Sequence, residues 1–159
     1  MRRVVVVGCG NPDAGDDAVG ILAVREARAR LEAIPGVRVI EGAIGPDLSD
    51  VLAESDAAVL VDAIRTSGVG RDPGTLVRVE AGPDGLPVET GVPLSSHGFG
   101  VAEAVGLAAV LGPSPQVVFL GVEVADVTVG RLLSSAVRER FPQLVRSVLD
   151  EASRLAASA

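Results

Sequence analysis

Short, unbroken apolar runs constrain this chain more than any other feature. Val4-Val5-Val6-Val7 and Ala57-Ala58-Val59-Leu60-Val61 contain no polar residue to turn toward water. Strands that alternate in and out of a core do not look like this; strands buried on both faces of a helix-covered parallel sheet do. In such sheets ligands collect outside the carboxyl ends of the strands. Asp62 directly follows the second run, and Asp16-Asp17 follow the first after a glycine-rich turn. The one histidine, His97, arrives from a third segment, Ser95-Ser96-His97-Gly98. Carboxylates and an imidazole delivered to one strand edge can converge on a single cation, so a metal-contacting site is the leading expectation.

The composition bounds the alternatives. A chain of 159 residues with 48% hydrophobic content is expected to form one domain spanning 1–159 with a real core. Aromatics make up 2%, so that core is built of Val, Leu, Ile and Ala. Fourteen basic against 21 acidic residues give a net charge of −7, and no basic stripe is visible, which argues against a nucleic-acid partner. Cys9 is the only cysteine, which excludes an internal disulfide and a Cys-based zinc site. No stretch approaches the roughly 18 apolar residues of a membrane span. Met1-Arg2-Arg3 before four valines resembles a signal peptide only superficially, because the run breaks at Gly8-Cys9-Gly10-Asn11-Pro12. A soluble cytoplasmic protein, monomeric or weakly oligomeric, is the expectation.

Periodicity predicts strands at 4–7, 37–40, 57–61, 75–80 and 116–122. Helices are predicted from Asp16 as N-cap to about residue 31, at 48–54, at about 98–111 and around 132–155. The first helix should turn Gly20, Val24, Ala27 and Leu31 inward, and the last Val137, Phe141, Leu144, Val148, Ala152 and Leu155. Residues 64–73 and 81–93 read as loops. The half-exposed pattern at 75–80 suits an edge strand, and the short connection before it suits an antiparallel one. The order β-α-β-α-β-β-α-β-α predicts an α/β protein: a three-layer α/β/α sandwich around a mostly parallel, twisted sheet of about five strands with one antiparallel member.

Each candidate residue has an ordinary structural reading beside the functional one. Gly8-Cys9-Gly10 after a first strand invites a dinucleotide site, but Asp13 occupies the position of the third glycine, where a carboxylate repels phosphate. Asp16 reads as a helix cap. Asp17, one step further on, can reach over the strand ends. Asp62 interrupts an apolar stretch and needs either loop amides or a site partner. His97 at a helix N-terminus is expected to stay neutral, fit to bind a metal such as zinc, nickel or ferrous iron. Cys9, flanked by glycines, reads as a small filler rather than a nucleophile. His-Glu-x-x-His and Gly-x-Ser-x-Gly are both absent.

Taken in order, Gly8-x-Gly10-Asn11, Asp16-Asp17-x-x-Gly20, Val61-Asp62-Ala63, Ser96-His97-x-x-Gly100 and Leu120-Gly121-Val122 resemble the hydrogenase maturation protease family. The resemblance implies an endopeptidase that removes a C-terminal extension from the large-subunit precursor of a nickel-iron hydrogenase. It also implies that Asp17, Asp62 and His97 are catalytic and contact the metal. The nickel would arrive inside the precursor, with another divalent metal able to replace it in the isolated protein. Position 17 carries Asp where the family often has Glu, and Glu41-Gly42-Ala43-Ile44-Gly45-Pro46 stands where a Gly-Gly or Gly-Thr turn is usual. Glu41 is a second-rank candidate. Leu94, Phe99 and Val101 near His97, with Val69, are candidate contacts for the precursor tail. The alternative from another class is a metal-binding or metal-delivery module without peptidase activity.

Overall fold

The computed structural model describes residues 1–42, 45–65, 71–81 and 115–158. Its elements in chain order are β1 (Val4–Gly8), a 3-10 turn (Gly15–Ala18), α1 (Val19–Glu32), β2 (Val37–Glu41), α2 (Gly45–Ala53), β3 (Ala57–Ile64), β4 (Leu76–Ala81), β5 (Gln116–Glu123) and α3 (Ser135–Ala157). The five strands form one sheet in the order β2-β1-β3-β5-β4. All neighbours are parallel except β4, which lies on the edge and runs antiparallel to β5. The expected three-layer architecture is what forms.

Period-two alternation divides the apolar runs between two cores. Val4 and Val6 of β1, Val59 and Val61 of β3, and Val118 and Leu120 of β5 face α1 and α3. Val5, Val7, Ala58, Leu60, Val117 and Phe119 face the other way, where Leu48 and Leu52 of α2 pack on them. Both faces of the central strands are therefore dry, and every residue of β1 and β3 is buried. The edge strand keeps its expected half-exposure through Arg78 and Glu80. Those two charges join Glu151 and Arg154 in ion pairs that tie α3 to the sheet edge. Exposed pairs of this kind add little stability individually but blunt an open strand edge.

Several boundaries differ from the sequence expectation. The first helix begins at Val19, because residues 15–18 wind into a 3-10 turn that holds Asp16 and Asp17. Asp16 does not cap α1, whose N-cap is Ala18 without a side-chain bond. The third strand runs on to Ile64, so Asp62 sits inside it rather than beyond it. The last helix starts at Ser135, capped by the Ser134 hydroxyl accepting from the Val137 amide, and Leu132 lies 85% exposed before it. Its predicted inner stripe is buried apart from Phe141, which is partly buried against the same core. The predicted helix at 98–111 lies outside the described residues. Among the described residues no helix is long and apolar enough to cross a membrane.

Gly20 sets how closely α1 approaches the sheet. A Cβ there would sit 2.2 Å from the Val61 carbonyl oxygen and 2.8 Å from that of Cys9. Helix propensity alone favours Ala over Gly by about 0.5–1 kcal/mol. Overpacking against two backbone carbonyls outweighs that gain, so we predict that Gly20→Ala destabilises the fold by about 1–3 kcal/mol. A urea denaturation midpoint reads the effect; an unchanged or raised midpoint would contradict the close approach.

Candidate functional site

The site forms where neighbouring strands end at different heights. The β1–β3 ladder ends with Gly8 opposite Val61, and the Cys9 amide donates one last bond to the Val61 carbonyl at 2.8 Å. β3 then continues three residues further against β5, with Asp62 opposite Gly121. This is also where the topology reverses: β1 leads to β2 on one side, β3 to β4 and β5 on the other. A crevice at the carboxyl ends of the strands is expected at such a point.

Asp62 is 1% exposed, and its carboxylate accepts from the Ala63 amide at 2.8 Å. Burial pushes its pKa up to about 7; the Ala63 hydrogen bond opposes the rise, and the negative charge of Asp17 adds to it. Asp62 is thus a carboxyl group that exchanges its proton near neutrality, the property needed of a general acid or base. Among the described residues, the loop amides expected as its ordinary partners are represented by the Ala63 N–H.

Asp17, 5% exposed, accepts from the Asn11 amide at 3.0 Å. The Gly8–Asn11 turn and the 3-10 turn are thereby joined to each other. Its neighbour Asp16 has a different task. The fully buried Asp16 carboxylate accepts from the amides of Ala125 (2.8 Å), Asp126 (3.0 Å) and Ser134 (2.7 Å), and from the Ser134 hydroxyl (2.8 Å). It serves the N-terminus of α3, not that of its own helix, and its negative charge suits the positive end of that helix dipole.

Cys9 is a buried filler, as expected. Burial pushes its thiol well up, and the charges of Asp62 and Asp17 push the same way, so it is a poor nucleophile. Those electrostatic couplings also place Cys9, Asp17 and Asp62 in one neighbourhood. Glu41 is engaged elsewhere, by Arg25 at 2.8 Å and Arg28 at 2.6 Å. Partial burial works to raise its pKa, but the hydrogen bonds from Arg28 and Arg25 prevail and hold it below the usual carboxylate value. A carboxylate neutralised by two guanidinium groups is a poor ligand or base.

His97, with Leu94, Phe99, Val101 and Val69, lies outside the described residues, and so does most of the 41–46 turn beyond Gly42. Among the described residues no group of three His, Cys, Asp or Glu side chains is arranged to hold a metal ion. Two of the three predicted contacts, Asp17 and Asp62, are brought together there. Sequence reasoning passed over Glu123, a 4%-exposed carboxylate ending β5 on the same sheet face as Asp62. The signal was available: like Asp62, it directly follows an apolar strand run.

A family model described as hydrogenase maturation protease matches residues 21–151, a span that includes Asp62 and His97 but not Asp17. The hydrogenase expression/formation protein HupD of Bradyrhizobium diazoefficiens is 32% identical over 128 residues, covering 79% of this chain. The match spans 64% of that relative's own length. Among solved structures, the hydrogenase maturating endopeptidase HybD from E. coli superposes with a TM-score of 0.77 at 23% identity, covering 96% of this chain and 93% of that one. The [NiFe] hydrogenase maturation protease HycI from Thermococcus kodakarensis KOD1 gives 0.70 at 24% identity, with the same coverage of 96% and 93%. At these identities the two superpositions establish the fold.

The raised pKa of Asp62 has a consequence for stability. Between the ordinary carboxyl value of about 4 and the folded value of about 7, the folded state binds the Asp62 proton more tightly than the unfolded state. The associated stability is therefore fully present below about pH 4 and is lost as pH rises through about 7. Asp62→Asn keeps the acceptor for Ala63 and removes the charge. We predict that the variant gains on the wild type by on the order of 2–4 kcal/mol between pH of about 4 and 8. Urea denaturation of both proteins across that range checks this, and a constant difference would contradict it.

Proposed function

Because the chain belongs to the hydrogenase maturation protease family, we propose that it is an endopeptidase acting on the large-subunit precursor of a nickel-iron hydrogenase. It removes the C-terminal extension after nickel has been inserted, and the nickel in the precursor is its recognition point. Asp17, Asp62 and His97 are the contacts to that metal. The observation that carries this reading is the convergence of Asp17 and Asp62, from separate segments, at the carboxyl ends of β1 and β3.

The two carboxylates suit different tasks. Asp17 is oriented by the Asn11 amide, and a carboxylate's two oxygens can accept from an amide and also meet a cation. Asp62 must release its proton to do the same, so metal contact and deprotonation are coupled at this position. Near neutrality that proton is available to the leaving amine or exchangeable with an attacking water. His97 adds an imidazole, and three protein contacts leave room on the metal for its ligands within the precursor.

The decisive experiment incubates the protein with nickel-loaded and nickel-free precursor and follows the size shift. The loaded form should be cut once and the nickel-free form left intact. Equal cleavage of both would remove nickel as the recognition point, and cleavage of neither would overturn the function. The isolated protein should bind nickel weakly; tight binding without cleavage would favour a metal-delivery module.

The contacts are tested individually. His97→Ala and Asp17→Asn should each slow processing by about 10²-fold or more, the scale of losing a positioned catalytic group. The His97→Ala melt should stay within about 0.5 kcal/mol of the wild type, and that of Asp17→Asn, at a buried position, within about 2 kcal/mol. Asn at position 17 can still accept from the Asn11 amide, so its folding cost is small. A cleavage assay and a thermal melt on the same preparations read both effects.

A further inference from the structure

Asp16 does more than stabilise the fold. We infer that it is a positioning residue whose carboxylate, by locking the 3-10 turn onto the loop that follows β5, sets where the Asp17 carboxylate points; the role of Asp17 itself rests on the function proposed above.

The turn that carries Asp17 has few local bonds to hold its shape. It is four residues long, its N-cap Ala14 makes no side-chain bond, and the Asp17 amide donates to the Ala14 carbonyl at 3.0 Å. Short 3-10 segments have poor hydrogen-bond geometry and are readily remodelled. Further anchors come from more than a hundred residues away in sequence. The Asp16 amide donates to the Asp126 carbonyl at 2.8 Å, the Gly15 amide to Arg131 at 3.2 Å, and the Gly130 amide to Asp13 at 2.8 Å. The four bonds received by the Asp16 carboxylate complete the lock. Gly15 permits the approach: its φ is +54°, and a Cβ would lie 2.5 Å from the Asp126 carbonyl oxygen.

Asp17 follows immediately. On its other side its carboxylate accepts the 3.0 Å bond from the Asn11 amide, so a shift of the 3-10 turn moves the carboxylate relative to that amide. The Asp16 lock cannot be reproduced by an isosteric amide. Asn presents one oxygen and one NH2 group, so whichever way it turns, a donor faces either the Ser134 amide or the group of donors from Ala125, Asp126 and Ser134. Loosening this side lets the 3-10 turn shift. A misplacement of even about 1 Å at a reacting group can cost on the order of 10²-fold in rate.

The Asn11 amide reports the Asp17 carboxylate without any assay of activity. In folded Asp16→Asn protein, well below its melting temperature, the Asn11 amide proton should exchange about tenfold faster than in the wild type. Its chemical shift should move as well. For precursor processing, kcat per folded molecule should fall about tenfold or more while KM changes less than about twofold. If Asp16→Asn does not fold, Gly15→Ala, which pushes a methyl into the Asp126 carbonyl, should give the same two signatures. Leu155→Ala is the control: it lowers the melt by opening a cavity at the far end of α3, away from the Asp16 contacts, and should leave the Asn11 amide and kcat as they are. Folded Asp16→Asn or Gly15→Ala with a wild-type Asn11 amide overturns the inference. Wild-type protein that cuts no precursor overturns the proteolytic reading instead, and the Asn11 amide still decides whether Asp16 holds Asp17.

Discussion

The site depends on a step in the sheet. β1 stops pairing with β3 at Gly8 opposite Val61, while β3 and β5 continue together to Ile64 and Glu123. Had β1 run the full length of its neighbour, Asp62 would face another strand instead of the turn that brings in Asn11 and Asp17. The step requires α1 to come down close to the strand ends. Gly20 permits that approach by leaving the Val61 and Cys9 carbonyls uncrowded.

Around this step, chemically similar carboxylates meet different fates, and the donors that reach them decide which. Asp16 receives four hydrogen bonds and becomes a structural tie. Glu41 receives two guanidinium groups and is neutralised. Asp17 is steadied by the Asn11 amide. Asp62, desolvated and close to the charge of Asp17, retains its proton to near-neutral pH. Burying a carboxylate is costly unless donors compensate it, and in the folded state an uncompensated one lowers the cost by holding a proton. That division separates the groups fit for chemistry from those committed to the fold.

Much of this was legible in the sequence. The apolar runs at 4–7 and 57–61 identified buried parallel strands because a strand covered on both sides has no polar face to show. The mixed pattern of Arg78 and Glu80 against Val77 and Val79 marked the edge strand for the converse reason. Asp62 stood out because a carboxylate in such a run is costly. Glu123 carries a similar signal after β5 and was passed over. The ends of elements were less legible: the start of α1, the inclusion of Asp62 within β3 and the start of α3 all depend on partners distant in sequence.

Asp16 marks the boundary between the two kinds of information. From the sequence alone, Asp before a helix is a cap, and Asp16 does serve a helix N-terminus, but that of α3, through Ser134. Local propensity states which residue types favour a helix start; it carries no information on which helix lies within hydrogen-bonding distance. The order of strands and helices, the two-sided burial and the acidic residues at the strand ends were determined by the sequence pattern, because each follows from periodicity within a few residues. The partner of each carboxylate, and with it the acidity of Asp62 and the orientation of Asp17, was decided only by the tertiary structure. Hydrogen bonding and desolvation depend on distances of a few ångströms between segments that the fold brings together, for Asp16 across more than a hundred residues.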